Sequence, residues 1–577
     1  MASIAISLGS PNAAMQPARY LAGATSRQLS WSMTLGIVGF GLALLMPFLG
    51  TSRTLTYHEV VYAEPAREML TTGDFVLPRI AGVPFTDKPP LMAWAIAASM
   101  TLFQSQSEWI VRLPSVAAAI GTAWILAALC THWFSRRIGL FAALVQLTTV
   151  HVLMQAKLAE ADTLLALATA GAMACFGLAH VEGQHGRLTA WWMPSAFYAC
   201  VAGSFLAKFM AGPALILAGC GLFLVVQRNL RGGLRFLFNP LGIAVFLLMT
   251  VPWLVAAYLK YPAWLDNVLF HNFGRFGGAM GSNERSWAYF YLVPMMMLPW
   301  TPMLFIGLIN GLRRGLYLDQ RWQLLGCWFL GGMALLSWMA FKTKHYPIPV
   351  LTPLAAIAAA ALVDHLAWRT RVSWQWTLGW CSVAVAGSGI GMFAVSRAKS
   401  LGADQQAAIM SVLALVAAGM VIVFLLEHQR QVTAQVATLF GTIVLAAVVV
   451  QAQVMPFHDS YRHQTEFSKL VNAAGPRDGR VLTLVGLPDN QITYYLHAPL
   501  RRFDEPAEFF KVVAGGPGAV HWVLGPAWFE AMLKSPALAQ SQVTGSEAEI
   551  LAQCSHINRY QTWNDRLTLF RWAPGRE

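Results

Sequence analysis

Long apolar runs separated by short polar segments fill residues 31–455 of this chain. A helix needs about 20 mainly apolar residues to cross the hydrocarbon core of a bilayer. The pattern therefore predicts a polytopic α-helical membrane protein with about thirteen transmembrane helices. The predicted spans are 31–50, 112–132, 138–156, 163–180, 190–209, 211–227, 238–258, 289–310, 323–340, 347–365, 376–395, 406–426 and 435–454.

The apolar run Leu91–Phe103 is shorter than the others and follows Lys88-Pro89-Pro90. Its length suits either a thin span or a helix that lies in the membrane interface. If it does not cross, the basic loops at 135–137 and 227–235 fall on the same side as the N-terminus. Because Lys and Arg collect in cytoplasmic loops, this charge pattern favours the interfacial helix.

Successive loops lie on alternate sides of the membrane, and this assignment predicts that most of the unusual ionisable residues are on the outer side. Titratable groups are costly to place at a membrane edge, so their convergence there indicates a functional site. The outer segments are a first outer loop (51–111), a turn at 160–162, a second large outer loop (259–288), a turn at 342–346 and the tail. The predicted domains are a cytoplasmic N-terminal segment (1–30), a transmembrane catalytic domain (31–455) and an outer C-terminal domain (456–577).

The tail differs from the rest of the chain because short segments rich in Val, Leu and Tyr alternate with polar stretches. This pattern predicts a small α/β domain. Its predicted strands are 480–486, 491–496 and 519–524, and its predicted helices are 506–513 and 526–533.

Composition agrees with a membrane protein. The chain is 56% hydrophobic and 12% charged, with a mean hydropathy of +0.51, whereas about a quarter of a soluble domain is charged. The net charge of +13 is explained by positive cytoplasmic loops and does not indicate nucleic-acid binding. Most of the seven Cys lie in apolar runs, so no disulfide framework is expected.

Two kinds of chemistry are open to the acidic residues and histidines of the outer side. His58, Glu59 and Asp162 could perform general acid–base catalysis, although Asp162 could equally cap the helix that follows it. Asp87 and His271 could hold a divalent metal ion, Zn²⁺ or Mg²⁺, although Asp87 could cap a helix and His271 could be structural. Glu64 and Glu68 are expected on a solvated helix face, where Arg67 could pair with them.

Cations on the same side could hold an anionic group such as phosphate, for which Arg is a bidentate donor and Lys a point charge. Interfacial anchoring is the alternative role for each of them. The candidates are Lys208, Arg275, Lys342 and Lys344.

Seven short elements, in order, resemble the ArnT/PMT-like glycosyltransferases of the GT-C class. The first is His58-Glu59-x-x-Tyr62-Ala63-x-x-x-Arg67-Glu68-Met69-Leu70-x-x-Gly73-Asp74-x-x-x-Pro78. The others are Asp87-Lys88-Pro89-Pro90-Leu91, Arg112-Leu113-Pro114-Ser115, Asp162-x-Leu164-Leu165, Gly203-x-x-x-x-Lys208, His271-x-x-x-Arg275-Phe276 with Leu298-Pro299-Trp300, and Lys344-x-Tyr346-x-x-Pro349. The resemblance covers about residues 31–365.

The resemblance implies a GT-C fold and an inverting transferase of the bacterial inner membrane, with its active site and C-terminal domain on the periplasmic side. The co-substrate would be a polyprenyl-phosphate-linked sugar, and the acceptor an envelope glycolipid such as lipid A, a glycan or a protein. Glu59 and Asp162 would be the carboxylate pair, with His58 as an alternative base. The donor phosphate would be held by Lys88, Lys208, Arg275, Lys342, Lys344 and Tyr346.

Two residues depart from the family pattern: the first motif usually begins with Asp-Glu and here begins with His58, and Asp87 stands where arabinosyl-type members often carry Glu. A neutral imidazole can act as a base or ligate a metal, but it cannot supply a negative charge. Membrane lipids are the other expected partners, nucleic acid is not, and the chain is expected to act as a monomer. A transporter or flippase, and a non-catalytic envelope assembly protein, are the competing hypotheses.

Overall fold

The computed structural model describes residues 28–182, 192–277, 285, 287–367, 371–398, 401–429, 431–459, 464–474, 481–484, 490–497, 500–503, 521–526, 547–554 and 567–573. Within these ranges the structure does not describe the side chains of 182, 271–273, 275–277, 367, 371–378, 380, 432, 458–459, 464, 474, 481–484, 490–491, 500–503, 521–526, 547–554 and 567–573. The predicted helices 506–513 and 526–533 lie outside the described residues, apart from Pro526.

Helices form most of the described chain. Those up to residue 277 are Trp31–Leu45, Tyr57–Thr72, Leu91–Phe103, Glu108–Trp133, Arg136–Thr148, Val150–Ala156, Asp162–Glu182, Met193–Lys208, Ala211–Val226, Leu230–Leu237, Pro240–Lys260 and Trp264–Gly277. The later ones are Ala288–Met296, Thr301–Arg313, Gln320–Trp338, Ile348–Ala367, Arg371–Arg397, Ala403–His428, Val432–Val449, Met455–Asp459, Gln464–Ala474 and Asn490–Thr493, with a 3₁₀ turn at Leu316–Leu318 and a π-helical stretch at Val450–Val454.

Each of the thirteen predicted spans coincides with a helix or with a bent pair of helices. Six helices of the described chain are long and apolar enough to cross a membrane, or eight spans if each of two bent pairs counts as one. The pairs are bent by 65° at Thr148/Val150 and by 109° at Met296/Thr301. The predicted count of thirteen stays a prediction.

Burial divides the long helices into central and peripheral ones. In Ile348–Leu366, 83% of the most apolar window is buried, whereas in Ala403–His428 only 17% is buried. An apolar helix that exposes its surface in this way is suited to contact with lipid. The largest core cluster is built around Trp300, Trp328 and Phe176 and joins the central helices.

The first outer loop folds into its own small structure on top of the helices. The Tyr57–Thr72 helix begins with a capping box between Thr56 and Glu59, and ends at Gly73, whose φ of 72° is a left-handed conformation that glycine adopts readily. A two-stranded hairpin follows, with β1 (Arg79–Ile80) antiparallel to β2 (Val83–Pro84).

The Leu91–Phe103 helix packs on the first-loop helix and on Glu108–Trp133. Its 13 residues give a length of about 20 Å, less than the roughly 30 Å hydrocarbon core. The predicted second outer loop, 259–288, contains the helix Trp264–Gly277.

The described part of the tail contains a five-stranded sheet beside the helices Gln464–Ala474 and Asn490–Thr493. Its strands are β3 (Val481–Leu484), β4 (Leu500–Phe503), β5 (His521–Pro526), β6 (Glu547–Cys554) and β7 (Leu567–Ala573), in the order β4-β3-β5-β7-β6. The β3–β4 and β3–β5 pairs are parallel, and β5–β7 and β6–β7 are antiparallel.

The predicted strand 491–496 is wrong. Asn490–Thr493 is helical, and after it Tyr494 is buried and Tyr495 half-buried against the first outer loop. Aromatic residues favour strands, but a strand would turn consecutive side chains to opposite faces. Docking on the outer loop therefore overrides the local preference.

Candidate active site

A buried ion pair between two central helices is the base of the outer site. Asp162 begins the helix Asp162–Glu182, and Lys208 ends the neighbouring helix Met193–Lys208. The Lys208 Nζ donates to Asp162 Oδ1 at 2.6 Å, and Asp162 is 2% exposed. The Lys208 ammonium also lies 4.9 Å from the centre of the Tyr346 ring, within the range of a cation–π contact.

Lys208 and Tyr346 also line a pocket with charged and apolar walls, here called the outer pocket. Asp87, Lys88, Lys208 and Tyr346 supply its polar lining. The apolar lining consists of Pro89, Leu165, Phe209, Ala211, Leu215, Leu335, Leu336 and Met339. Such a pocket fits an amphiphile that has an anionic head and a hydrocarbon tail.

Asp87 and Lys88 line the pocket just before the Leu91–Phe103 helix begins. Pro90, and not Asp87, occupies the N-cap position of that helix, and the Pro90 side chain makes no capping hydrogen bond. Asp87 therefore contributes to the pocket lining.

Two histidines lie close to the same charges. His58 and His345 are both within electrostatic reach of Asp162, Lys208 and Lys88. Burial lowers the pKa of His345 to about 4, against the attraction of the Asp162 carboxylate. Burial by the surrounding atoms and the charge of Lys88 also lower the pKa of His58, although the residue as a whole is exposed to solvent. Both rings are thus neutral near pH 7 and able to accept a proton.

The sequence does not predict His345 as a site residue. Within the turn at 342–346 it predicts the lysines, but the Lys342 ammonium is buried and donates to the Met339 carbonyl. The Lys344 side chain is exposed, and neither lysine is among the pocket-lining residues. The available signal was the adjacent pair His345-Tyr346 in a turn on the predicted outer side.

Glu59 lies beside this site but turns away from it. Its Oε1 accepts from Arg112 Nε at 2.7 Å and from the Ala159 amide at 3.1 Å, and its Oε2 accepts from the Thr56 amide at 2.8 Å. Burial opposes ionisation, but the Arg112 guanidinium outweighs it and lowers the pKa of Glu59 to about 2. With both oxygens engaged at 0% exposure, this geometry does not favour the general-base role considered for Glu59.

The expectation that Glu64 is solvated is wrong. Glu64 is 1% exposed and accepts from Arg67 at 2.6 Å. Glu68 is partly buried and accepts from the Gly82 amide at 3.0 Å. Burial and the neighbouring Glu64 carboxylate raise the pKa of Glu68 to about 7.

The metal hypothesis for Asp87 and His271 stays a prediction, because the His271 side chain is outside the described residues, as is that of Arg275. Among the side chains that are described, no three from His, Cys, Asp and Glu are grouped as a metal site would require. Asp87 shares the pocket lining with Lys88 and Lys208, and such cations oppose metal binding. No catalytic step is therefore assigned to a metal.

Known proteins resemble this chain in sequence and in fold. A family model described as dolichyl-phosphate-mannose-protein mannosyltransferase matches residues 87–255. The undecaprenyl phosphate-alpha-4-amino-4-deoxy-L-arabinose arabinosyl transferase 1 of Pseudomonas fluorescens is 26% identical over 431 residues, 73% of this chain and 76% of that protein. The corresponding transferase of Pseudomonas savastanoi pv. phaseolicola is 30% identical, over 57% of this chain and 61% of that protein.

Crystal structures of ArnT from Cupriavidus metallidurans share the fold. The apo structure has a TM-score of 0.73 at 20% identity, covering 93% of this chain and 98% of ArnT. The structure of the same protein bound to undecaprenyl phosphate has a TM-score of 0.72 and covers 94% and 98%. The family model, the relatives and the shared fold together confirm the resemblance of this chain to the ArnT/PMT-like glycosyltransferases of the GT-C class.

Proposed function

We propose that this chain is a membrane glycosyltransferase that moves a sugar from a polyprenyl-phosphate donor to an acceptor at the periplasmic face of the bacterial inner membrane. The supporting observation is the outer pocket, which is lined by Lys88, Lys208 and Tyr346 together with apolar side chains. The cations match a phosphate head, and the apolar lining matches an isoprenoid tail. The P. fluorescens relative is named for an undecaprenyl phosphate-linked donor.

In this proposal the neutral His58 ring takes the proton of the acceptor hydroxyl as that oxygen attacks the anomeric carbon. The bond to the donor phosphate breaks with inversion, and the phosphate leaves as an anion between Lys88 and Lys208. Electrostatic stabilisation of a leaving charge is usually a large contribution to catalysis. The Asp162 carboxylate, whose charge already acts on His58, stabilises the imidazolium that forms.

The proposed acceptor is an envelope molecule: lipid A, another glycan or a protein. A direct test supplies inner-membrane vesicles carrying this chain with radiolabelled polyprenyl-phosphate sugars, and mass spectrometry then identifies the glycosylated product. Transfer of label above that of vesicles without the chain supports the proposal. Movement of the labelled lipid between leaflets without transfer would instead identify a flippase.

Replacing His58 is expected to slow transfer and to alter its pH dependence. General-base catalysis contributes about 10²–10⁴-fold, so His58→Ala should lose about a hundredfold in kcat. The wild-type rate should fall on acidification only below pH 6.5, the ordinary His value, because the neutral ring persists down to its lowered pKa. His58→Asp, which restores the residue usual in the family, should recover activity and shift the acidic limb of the pH–rate profile. If the acidic limb of that profile is the same in both variants as in the wild type, His58 is excluded as the base.

Replacing Lys88 is expected to weaken donor binding. Lys88→Gln keeps a polar, slightly shorter side chain but removes a charge from the pocket lining, so the KM for the polyprenyl-phosphate donor should rise about tenfold. Lys260→Gln is the matched control, since Lys260 is 45% exposed and pairs with Asp74 at 2.7 Å outside the pocket. Equal donor KM values in the two variants would remove Lys88 from the phosphate site.

A further inference from the structure

The C-terminal domain is fastened to the first outer loop by residues 490–497, here called the docking segment. Arg67 of the first outer loop donates to the carbonyls of Leu496 at 2.9 Å, Thr493 at 3.1 Å and Tyr494 at 3.2 Å. The same guanidinium lies 5.8 Å from the centre of the Tyr494 ring. A cation that satisfies three carbonyls holds this segment in one position.

The two tyrosines of the docking segment contact different partners. The Tyr494 hydroxyl donates to the Gln106 carbonyl. The Tyr495 hydroxyl accepts from the Leu55 amide at 2.8 Å and donates to Glu108 Oε1 at 2.7 Å. Burial and the Glu108 carboxylate raise the pKa of Tyr495, which keeps the hydroxyl protonated as the donor. Tyr495 therefore links the C-terminal domain to the start of the Glu108–Trp133 helix.

From Glu108 the contacts continue into the transmembrane domain. Glu108 Oε2 lies 3.4 Å from Arg112 Nη1, one helical turn further on. Arg112, 1% exposed, forms the buried pair with Glu59. Glu59 in turn accepts from the Thr56 amide and from the Ala159 amide.

The contacts of Glu59 with the Thr56 and Ala159 amides connect it to the segments that carry His58 and Asp162. Thr56 caps the helix whose second residue is His58. Ala159 precedes Asp162 by three residues, in the turn that begins the Asp162–Glu182 helix. Glu59 is thus the point at which the His58 and Asp162 backbones are held together.

We propose that Tyr495 is a positioning residue, through which the C-terminal domain fixes the distance between His58 and Asp162 by way of Glu108, Arg112 and Glu59. The proposal rests on the proposed function of His58 and Asp162. Its physical basis is that hydrogen bonds and charges in a buried network are strong and mutually dependent. A displacement of about 1 Å in reacting groups can cost on the order of a hundredfold in rate.

The test compares Tyr495→Phe with Tyr494→Phe. Each variant removes one hydroxyl from the same segment, but only Tyr495→Phe breaks the contact with Glu108. We expect Tyr495→Phe to lower kcat about tenfold with the donor KM within about twofold, and Tyr494→Phe to leave both unchanged. Glu108→Gln should also lower kcat, and the double variant Tyr495→Phe/Glu108→Gln should be no slower than the slower single variant, since both act through one network.

Hydrogen–deuterium exchange of the full-length protein in detergent provides a readout that is independent of activity. The Thr56 and Ala159 amides, both bound to Glu59, should exchange faster in Tyr495→Phe than in the wild type, and at the wild-type rate in Tyr494→Phe. Unchanged exchange at Ala159 in Tyr495→Phe would overturn the proposal, as would equal loss of kcat in the two tyrosine variants. If the wild type transfers no sugar, the proposed function fails, while the exchange rates still decide whether the network exists.

Discussion

Asp162→Asn is expected to lower the rate of sugar transfer by about a thousandfold while the protein stays folded. The substitution keeps the shape of the side chain but removes its charge. Two contributions are lost together: the attraction that holds Lys208 at 2.6 Å and the stabilisation of the imidazolium that His58 forms. Losses of about 10²–10⁴-fold are typical when a group involved in proton transfer is removed. Initial rates with saturating donor, in proteoliposomes containing equal amounts of protein, measure the effect.

Asp364→Asn is the matched control for this experiment. Asp364 also pairs with a cation at 2.6 Å, the guanidinium of Arg314, but that cation is 41% exposed and lies outside the outer pocket. The same chemical change there should leave the rate within about twofold, because exposed ion pairs contribute little. A rate for Asp162→Asn within tenfold of the wild type would contradict a role for Asp162 in the reaction.

Breaking the Glu59–Arg112 pair is expected to destabilise the protein by about 3–5 kcal/mol, because either single variant removes one partner of a buried pair and leaves the charge of the other poorly compensated. Glu59→Gln leaves the Arg112 guanidinium with the longer contact to Glu108 Oε2 at 3.4 Å. Arg112→Met removes the guanidinium that pairs with the Glu59 carboxylate; both side chains of the pair are at most 1% exposed. The measurements are the amount of folded protein in the membrane and the midpoint of thermal unfolding in detergent. The double variant Glu59→Leu/Arg112→Met should recover part of the stability, since it removes both charges.

This experiment also separates the two roles considered for Glu59. A structural role predicts that stability and activity are lost together in Glu59→Gln. Arg314→Met, at the exposed pair, should change stability by less than about 1 kcal/mol. If Glu59→Gln instead unfolds like the wild type but transfers no sugar, Glu59 takes part in the reaction directly, as the sequence alone suggested.

Several members of the site were predictable because local signals and the alternation of loops place them on one side. Asp87, Lys88, Asp162, Lys208 and Tyr346 were selected from charge, motif and position, and four of them, all but Asp162, line one pocket, with Asp162 paired to Lys208. His345 and the inward turn of Glu59 were not predictable in this way. Side chains of adjacent helical residues diverge by about 100°, so His58 and Glu59 can differ completely in role.

The sequence by itself determined the helical segments, the excess of apolar surface and the family resemblance, because these follow from composition, periodicity and short motifs along the chain. Tertiary structure alone decided which charges pair. Glu59 meets Arg112 across 53 residues, Asp162 meets Lys208 across 46, and Arg67 meets the Tyr494 carbonyl across 427. Helix packing sets such distances, and the cost of burying a charge makes each pairing specific. The division between the acid proposed to act in the reaction and the structural acids is therefore decided by packing, which the local sequence does not encode.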